Sequence, residues 1–111
     1  MEITKLEVHG VTVIRISGRL DITGSEGLEK KLGNILDTTK GNLLLNLNDV
    51  TYMSSSGISS VLGASRAAKA LNRKLALCEI SPSIKKLLEV VELGNIFPVY
   101  EAEDEGIAAL K

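Results

Sequence analysis

Three consecutive serines, Ser54-Ser55-Ser56, run into Gly57-Ile58 and are the residues of this 111-residue chain best placed to do chemistry. A serine cluster can supply a nucleophile, a helix cap or a phosphate acceptor. The nucleophile elbow needs glycine two residues before the serine, and Met53 holds that place ahead of Ser55. It also needs a base, and His9 is the only histidine. No ligand cluster suits a metal, and no Walker-type or Gly-x-Gly-x-x-Gly loop is present. The expectation is therefore a protein that is not an enzyme and needs no cofactor or metal. A cap explains one serine but not three in a row. A phosphate acceptor remains: a helix N-terminus presents free amides and partial positive charge, and so tolerates the roughly −1.5 to −2 charge of phosphoserine.

The elements on either side must place that turn. Leu43-Leu44-Leu45-Asn46-Leu47 is too short for a helix before Asn48 and Asp49, and predicts a strand covered on both faces, as in parallel sheets. After the serines, Ile58, Val61, Leu62, Ala68 and Leu71 recur at helical spacing. The serines thus sit where a central strand hands over to a helix, at the edge where open α/β sheets bind ligands and partners. A second stripe, Ser59, Gly63, Ala67 and Ala70, carries only small side chains. It fits either a docking partner or a neighbouring loop of the same chain. Glycine inside a helix costs up to about 1 kcal/mol against alanine, so Gly63 implies a close contact of one kind or the other.

Upstream, Ile3 to Val8 and Val11 to Ser17 read as two strands joined through His9-Gly10. Ile14 and Ile16 alternate with Arg15 and Ser17, the pattern of a half-buried strand, and Gly18-Arg19-Leu20-Asp21 is its polar exit. Thr23-Gly24-Ser25-Glu26 has capping-box spacing, and Leu28, Leu32, Ile35 and Leu36 give the helix one apolar face, ending before Lys40-Gly41. Downstream, Asn72-Arg73-Lys74 closes the central helix, and Leu75 to Cys78 forms a short strand. Ser81-Pro82 starts a third helix whose face is Ile84, Leu87, Leu88 and Val91, and Gly94-Asn95 ends it. Ile96 to Tyr100 reads as a last strand, placed at a sheet edge because Pro98 cannot donate to a ladder. Glu101 to Glu105 puts acid at the start of a terminal helix anchored by Ile107 and Leu110. The order β-β-α-β-α-β-α-β-α predicts an α/β fold: one domain over 1–111, a mostly parallel sheet with an antiparallel N-terminal edge hairpin, and about four helices.

Composition narrows the classes of function. With 44% hydrophobic and 24% charged residues the chain has the makings of an ordinary globular core. Thirteen basic and fourteen acidic side chains leave a net charge of −1, and Phe97, Tyr52 and Tyr100 are the only aromatic residues, so direct nucleic-acid binding is not expected. No apolar run approaches the roughly 18 residues of a membrane span, and Met1-Glu2-Ile3-Thr4-Lys5 lacks the charged-then-apolar pattern of an export signal. Cys78 is the single cysteine and reads as a buried strand residue. A reducing cytoplasm fits.

Asn46-x-x-x-Val50-x-x-Met53-Ser54-Ser55-Ser56-Gly57-Ile58, together with Gly18-Arg19-Leu20-Asp21, resembles the STAS domain in its stand-alone bacterial form, the anti-sigma-factor antagonists. The family pattern at the turn is Asp-Ser-[Ser/Thr]-Gly-[Leu/Ile], and Ser54 stands where that aspartate usually lies. Aligned on Gly57, the resemblance implies phosphorylation at Ser55, with Ser56 as the following hydroxyl residue and Asp21 at an acidic position near the partner surface. It implies a partner that is both anti-sigma factor and serine kinase, and a metal-dependent serine phosphatase that reverses the modification. Docking would then involve Asp21, Ser54, Ser56, Gly57, Ser59, Gly63 and Ala67. The alternatives are a STAS scaffold or transporter-associated subunit that is not phosphorylated, and a small-ligand sensor.

Overall fold

The computed structural model describes residues 1–90 and 98–111, and its elements follow the expected order. They are β1 (Glu2–Val8), β2 (Val11–Leu20), α1 (Ile22–Thr38), β3 (Leu43–Met53), α2 (Ser55–Ala70), β4 (Leu75–Cys78), α3 (Pro82–Val90), β5 (Val99–Tyr100) and α4 (Glu103–Leu110). The sheet order is β1-β2-β3-β4-β5, antiparallel between β1 and β2 and parallel thereafter. The hairpin closes through His9 and Gly10, both at positive φ (50° and 81°), which suits the right-handed twist of the two strands.

Because the parallel strands follow one another in chain order, right-handed crossovers deliver α1, α2 and α3 to the same face. The side chains agree. Leu43, Leu45 and Leu47 pack with Leu28 and Leu32 of α1, Ile58 and Val61 of α2, and Ile84 and Leu88 of α3. Leu44, one residue out of phase, points the other way and joins Val11, Val13, Ala76 and Cys78 beneath Ile107 and Leu110 of α4. The leucine run is therefore covered on both faces, as expected of a central parallel strand. Cys78 is buried in that second cluster, and burial pushes its thiol up to about 12, so it stays protonated and unreactive.

Asn46 interrupts the leucines on the α4 face, just where the apolar cover ends. Its amide donates to Glu79 Oε2 and Glu103 Oε1, each at 3.1 Å. Arg15 clamps the same Glu103 through both carboxylate oxygens (3.0 and 2.8 Å), and Glu79 accepts from the Glu103 backbone N–H. At the opposite edge the buried Arg73 guanidinium donates to the Leu36 and Gly41 carbonyls and to Thr39, where the carbonyl end of a helix favours positive charge.

Several expected boundaries move. β2 runs on to Leu20 rather than stopping at Ser17, and β3 runs to Met53 rather than Leu47. The two stay paired through two register shifts, one between Arg15 and Ser17 and one between Gly18, whose φ is 101°, and Arg19. Asn48, Asp49, Thr51 and Tyr52 are exposed there while Val50 and Met53 stay buried, so polar residues mark a solvated strand and not its end. α1 is capped by Asp21, which leaves Thr23 inside the first turn and no capping box to Glu26. A carboxylate is the stronger acceptor at a positive helix end, and Asp21 has the extended backbone that a cap requires. Leu71 is exposed at the end of α2 rather than part of its buried face. β5 covers only Val99–Tyr100; Ile96, Phe97, Val91 and Gly94-Asn95 lie outside the described residues.

The Arg15 clamp holds the Glu103 carboxyl below its ordinary range, the hydrogen bond with Arg15 being the main cause. A carboxyl whose value is lowered by folding adds stability above its unfolded value and loses it as pH falls through the folded one. Glu103→Gln should therefore flatten the acid limb of stability below about pH 4.5 and leave its shape above neutrality unchanged, as read from denaturant midpoints across pH.

Candidate functional site

The paired extension of β2 and β3 carries the site. Leu20 faces Met53 across the ladder, and the chain turns into a helix immediately after each: Asp21 caps α1 and Ser54 caps α2. Two helix N-termini, those of α1 and α2, are thereby set side by side at the carboxyl edge of the sheet. The joint is made by one acceptor, the Leu20 carbonyl, which receives both the Ser54 backbone N–H (2.9 Å) and the Ser54 hydroxyl (2.8 Å).

The three serines differ in what holds them. Ser54 Oγ donates to Leu20 and accepts from the Gly57 backbone N–H at 3.3 Å, so both sides of its hydroxyl are engaged. Ser56 is half-buried at the foot of the groove between α1 and α2, and its backbone carbonyl accepts from the buried Ser60 hydroxyl, which also bonds the Ser25 carbonyl of α1; among the described residues nothing hydrogen-bonds the Ser56 hydroxyl itself. Ser55 occupies the first helical position, is exposed, and among the described residues no hydrogen bond engages its hydroxyl. Gly57 lets the turn close: a β-carbon there would meet Met53 Cγ at 3.0 Å and the Leu20 carbonyl oxygen at 3.1 Å.

Around Ser55 the surface mixes charge and exposed apolar area. Asp21 Oδ1 accepts from the Gly24 N–H at 3.0 Å, and its other oxygen lies 4.0 Å from Arg19 Nε. Arg19 lies over the Tyr52 ring, 4.5 Å from its centroid. Ile22 is 68% exposed and Tyr52 44%, large values for side chains of this type. Glu26 and Glu29 of α1 face Ser55, Ser56 and Ser59 across the interhelical groove. An oxyanion added at Ser55 would meet two helix N-termini and Arg19 in its favour, and the carboxylates of Asp21, Glu26 and Glu29 against it.

Of the expected site residues, Asp21, Ser54, Ser55, Ser56 and Gly57 come together at this edge, and Ser59 borders the groove. Gly63 and Ala67 continue along the exposed side of α2, away from the turn. Among the described residues nothing covers Gly63: a β-carbon there would meet nothing within 4 Å, so none of them makes the close contact that its glycine implied. Sequence pattern alone does not mark Arg19, Ile22 and Tyr52 as site residues. Single exposed apolar residues are common, and only their adjacency to Asp21 and to the serine turn marks these two. Among the described residues no cluster of His, Cys, Asp or Glu could hold a metal, and no helix is long and apolar enough to cross a membrane.

The sequence profile of the STAS domain matches residues 2–106. The anti-sigma F factor antagonist of Paenibacillus polymyxa is 27% identical over 109 residues, covering 96% of this chain and 93% of that protein. The Bacillus protein SpoIIAA, an anti-sigma factor antagonist, superposes in its unphosphorylated form with a TM-score of 0.72 at 25% identity, over 97% of this chain and 96% of its own. Its phosphorylated form gives 0.74 at 25% identity, over 97% and 98%. A Thermotoga maritima crystal structure reaches a TM-score of 0.91 at 16% identity, over 97% of this chain and 93% of that one, a likeness of fold.

The division of labour among the serines is measurable in stability. Ser54→Ala should cost about 1 kcal/mol, up to about 2, through loss of the α2 cap. Ser55→Ala should stay within about 0.5 kcal/mol, because its hydroxyl holds nothing. Denaturant midpoints of the two variants give the comparison, and equal losses would contradict it.

Proposed function

We propose that this chain, which belongs to the STAS-domain family, acts as an anti-sigma-factor antagonist switched at Ser55. With its hydroxyl free, Ser55 and the surrounding edge bind an anti-sigma factor and so release the sigma factor that it holds. The observation that carries this reading is the state of Ser55: exposed and without a hydrogen bond, beside a Ser54 whose hydroxyl is fully engaged. The names of the relatives support the partner class, and SpoIIAA, known in phosphorylated and unphosphorylated forms, supports the switch.

The anti-sigma factor is itself the serine kinase in this reading. The Ser55 oxygen attacks the γ-phosphorus of ATP, ADP leaves, and the hydroxyl proton passes to a base of the kinase. A metal-dependent phosphatase later adds water to the ester, returning the serine and inorganic phosphate. This chain contributes no catalytic group; it is a binding protein, and it works in the cytoplasm where sigma factors act.

The fold accepts the modification, since the dianion lies at a helix N-terminus. Release therefore comes from the interface, by repulsion or lost fit against the partner. The docking surface is the turn with Asp21, Ser54, Ser56 and Gly57, the apolar Ile22 and Tyr52 beside it, and the small-residue side of α2 through Ser59, Gly63 and Ala67. Exposed small side chains let a partner backbone come close along that helix, and the exposed Ile22 and Tyr52 offer apolar area to bury.

Titration calorimetry with the cognate anti-sigma factor tests this. Phosphorylation of Ser55 should weaken binding at least about a hundredfold, about 3 kcal/mol, and Ser55→Asp should weaken it less, with one charge and fewer oxygens. Asp21→Asn keeps an efficient cap on α1 but removes the charge, so it should lower affinity more at low salt than at high while leaving stability almost unchanged. Equal binding by the free, phosphorylated and Ser55→Asp forms would instead favour an unswitched scaffold.

A further inference from the structure

Among the described residues Arg19 is the only cation lining the depression with Ser54, Ser55 and Asp21, and it is loosely held. Its side chain is 64% exposed, and its guanidinium lies over the Tyr52 ring and reaches Asp21 only at 4.0 Å. The same depression is lined by Ser54, Ser55 and Ser56. On the other side of the serine turn the charged neighbours are Glu26 and Glu29, both anionic.

We propose that Arg19 is the intramolecular receptor for the phosphate on Ser55: on phosphorylation its guanidinium leaves Asp21 and the Tyr52 ring and pairs with the phosphoryl oxygens. This inference rests on Ser55 being the modified residue. The exchange follows from charge and geometry. A 4.0 Å contact with a single carboxylate oxygen at the surface is weak, and Asp21 keeps its other oxygen on the α1 cap, so it cannot turn to chelate the guanidinium. A phosphate dianion offers twice the charge and three oxygens in the fork geometry that arginine matches. Arg19 also pairs with Tyr52 in the ladder, one residue before the turn on each strand, so the side chain swings across the depression with the backbone held by the sheet. The modification then changes more than one side chain: Tyr52 loses its cationic cover and Asp21 its counter-charge, and both belong to the surface that the partner meets.

The test uses phosphoserine incorporated at position 55 during synthesis, so no kinase is needed. Phosphorus NMR follows the second ionisation of the ester in the wild-type background, in Arg19→Gln and in Arg66→Gln, which removes an exposed cation from elsewhere on α2. Capture by Arg19 predicts a wild-type ionisation about half a pH unit or more below that of Arg19→Gln, with Arg66→Gln matching wild type. Identical values in all three proteins would overturn the proposal, and so would equal rises in both variants, which would reflect net charge alone. A protein that shows the Arg19 effect but that no anti-sigma kinase modifies would retire the partner switch and leave the capture standing. A protein that switches partners with no Arg19 effect would do the reverse.

Discussion

Everything at the functional edge depends on the Leu20 carbonyl. It closes the last rung of the β2–β3 extension and accepts both the backbone and the side chain of Ser54. A buried carbonyl of this kind needs partners, since an unpaired one costs about 1–3 kcal/mol. Satisfying it with Ser54 fixes where α2 begins, and the pairing of Leu20 with Met53 fixes where α1 begins beside it. The position of Gly57 follows from the same joint, because the turn passes too close to Leu20 and Met53 for a side chain. The exposed Ser55 is a consequence of these constraints and not a separate feature. With Ser54 spent on the cap and Ser56 half-buried, the first helical position faces outward.

The rest of the fold keeps that joint rigid. One face of the sheet is thickly covered by three helices, and among the described residues the other carries α4, pinned by the Arg15–Glu103 clamp and the Asn46–Glu79 network. The pattern of Leu43 to Leu47 encodes this directly, since odd positions meet three helices and Leu44 meets one. β2 and β3 are the longest strands and extend past β4, whose pairing ends at Cys78. The site thus projects from the body of the sheet on a two-stranded ribbon, with a packed base beneath it and open surface around it.

The legible part of this arrangement is what hydrophobic period and turn chemistry dictate. The leucine run, the helix after the serines and the His9-Gly10 hairpin each rest on one strong local cause, and the Gly18–Asp21 and Ser54–Ile58 patterns together carried the family. The illegible part was decided by tertiary contacts. Asn48 and Asp49 look like the end of a strand, yet the β2–β3 ladder resumes past them, with Asp49 opposite Ser17 and Val50 opposite Gly18. Thr23 and Glu26 have capping-box spacing, yet Asp21 holds the backbone angles that a cap needs. Gly63 signals a close approach, and none of the described residues makes it. Arg19, Ile22 and Tyr52 gave no periodic signal because their role arises only when two strand ends are brought together.

The central claim is that Ser55 is the acceptor among three adjacent serines, Ser54 being engaged in the α2 cap and Ser56 half-buried in the groove. Fragment-ion mass spectrometry after incubation with the cognate anti-sigma kinase and ATP tests it at single-residue resolution. The account predicts one phosphate, on Ser55, with Ser54 and Ser56 unmodified. Phosphate on Ser54 would contradict it, since that hydroxyl would have to leave both the Leu20 carbonyl and the Gly57 amide to react.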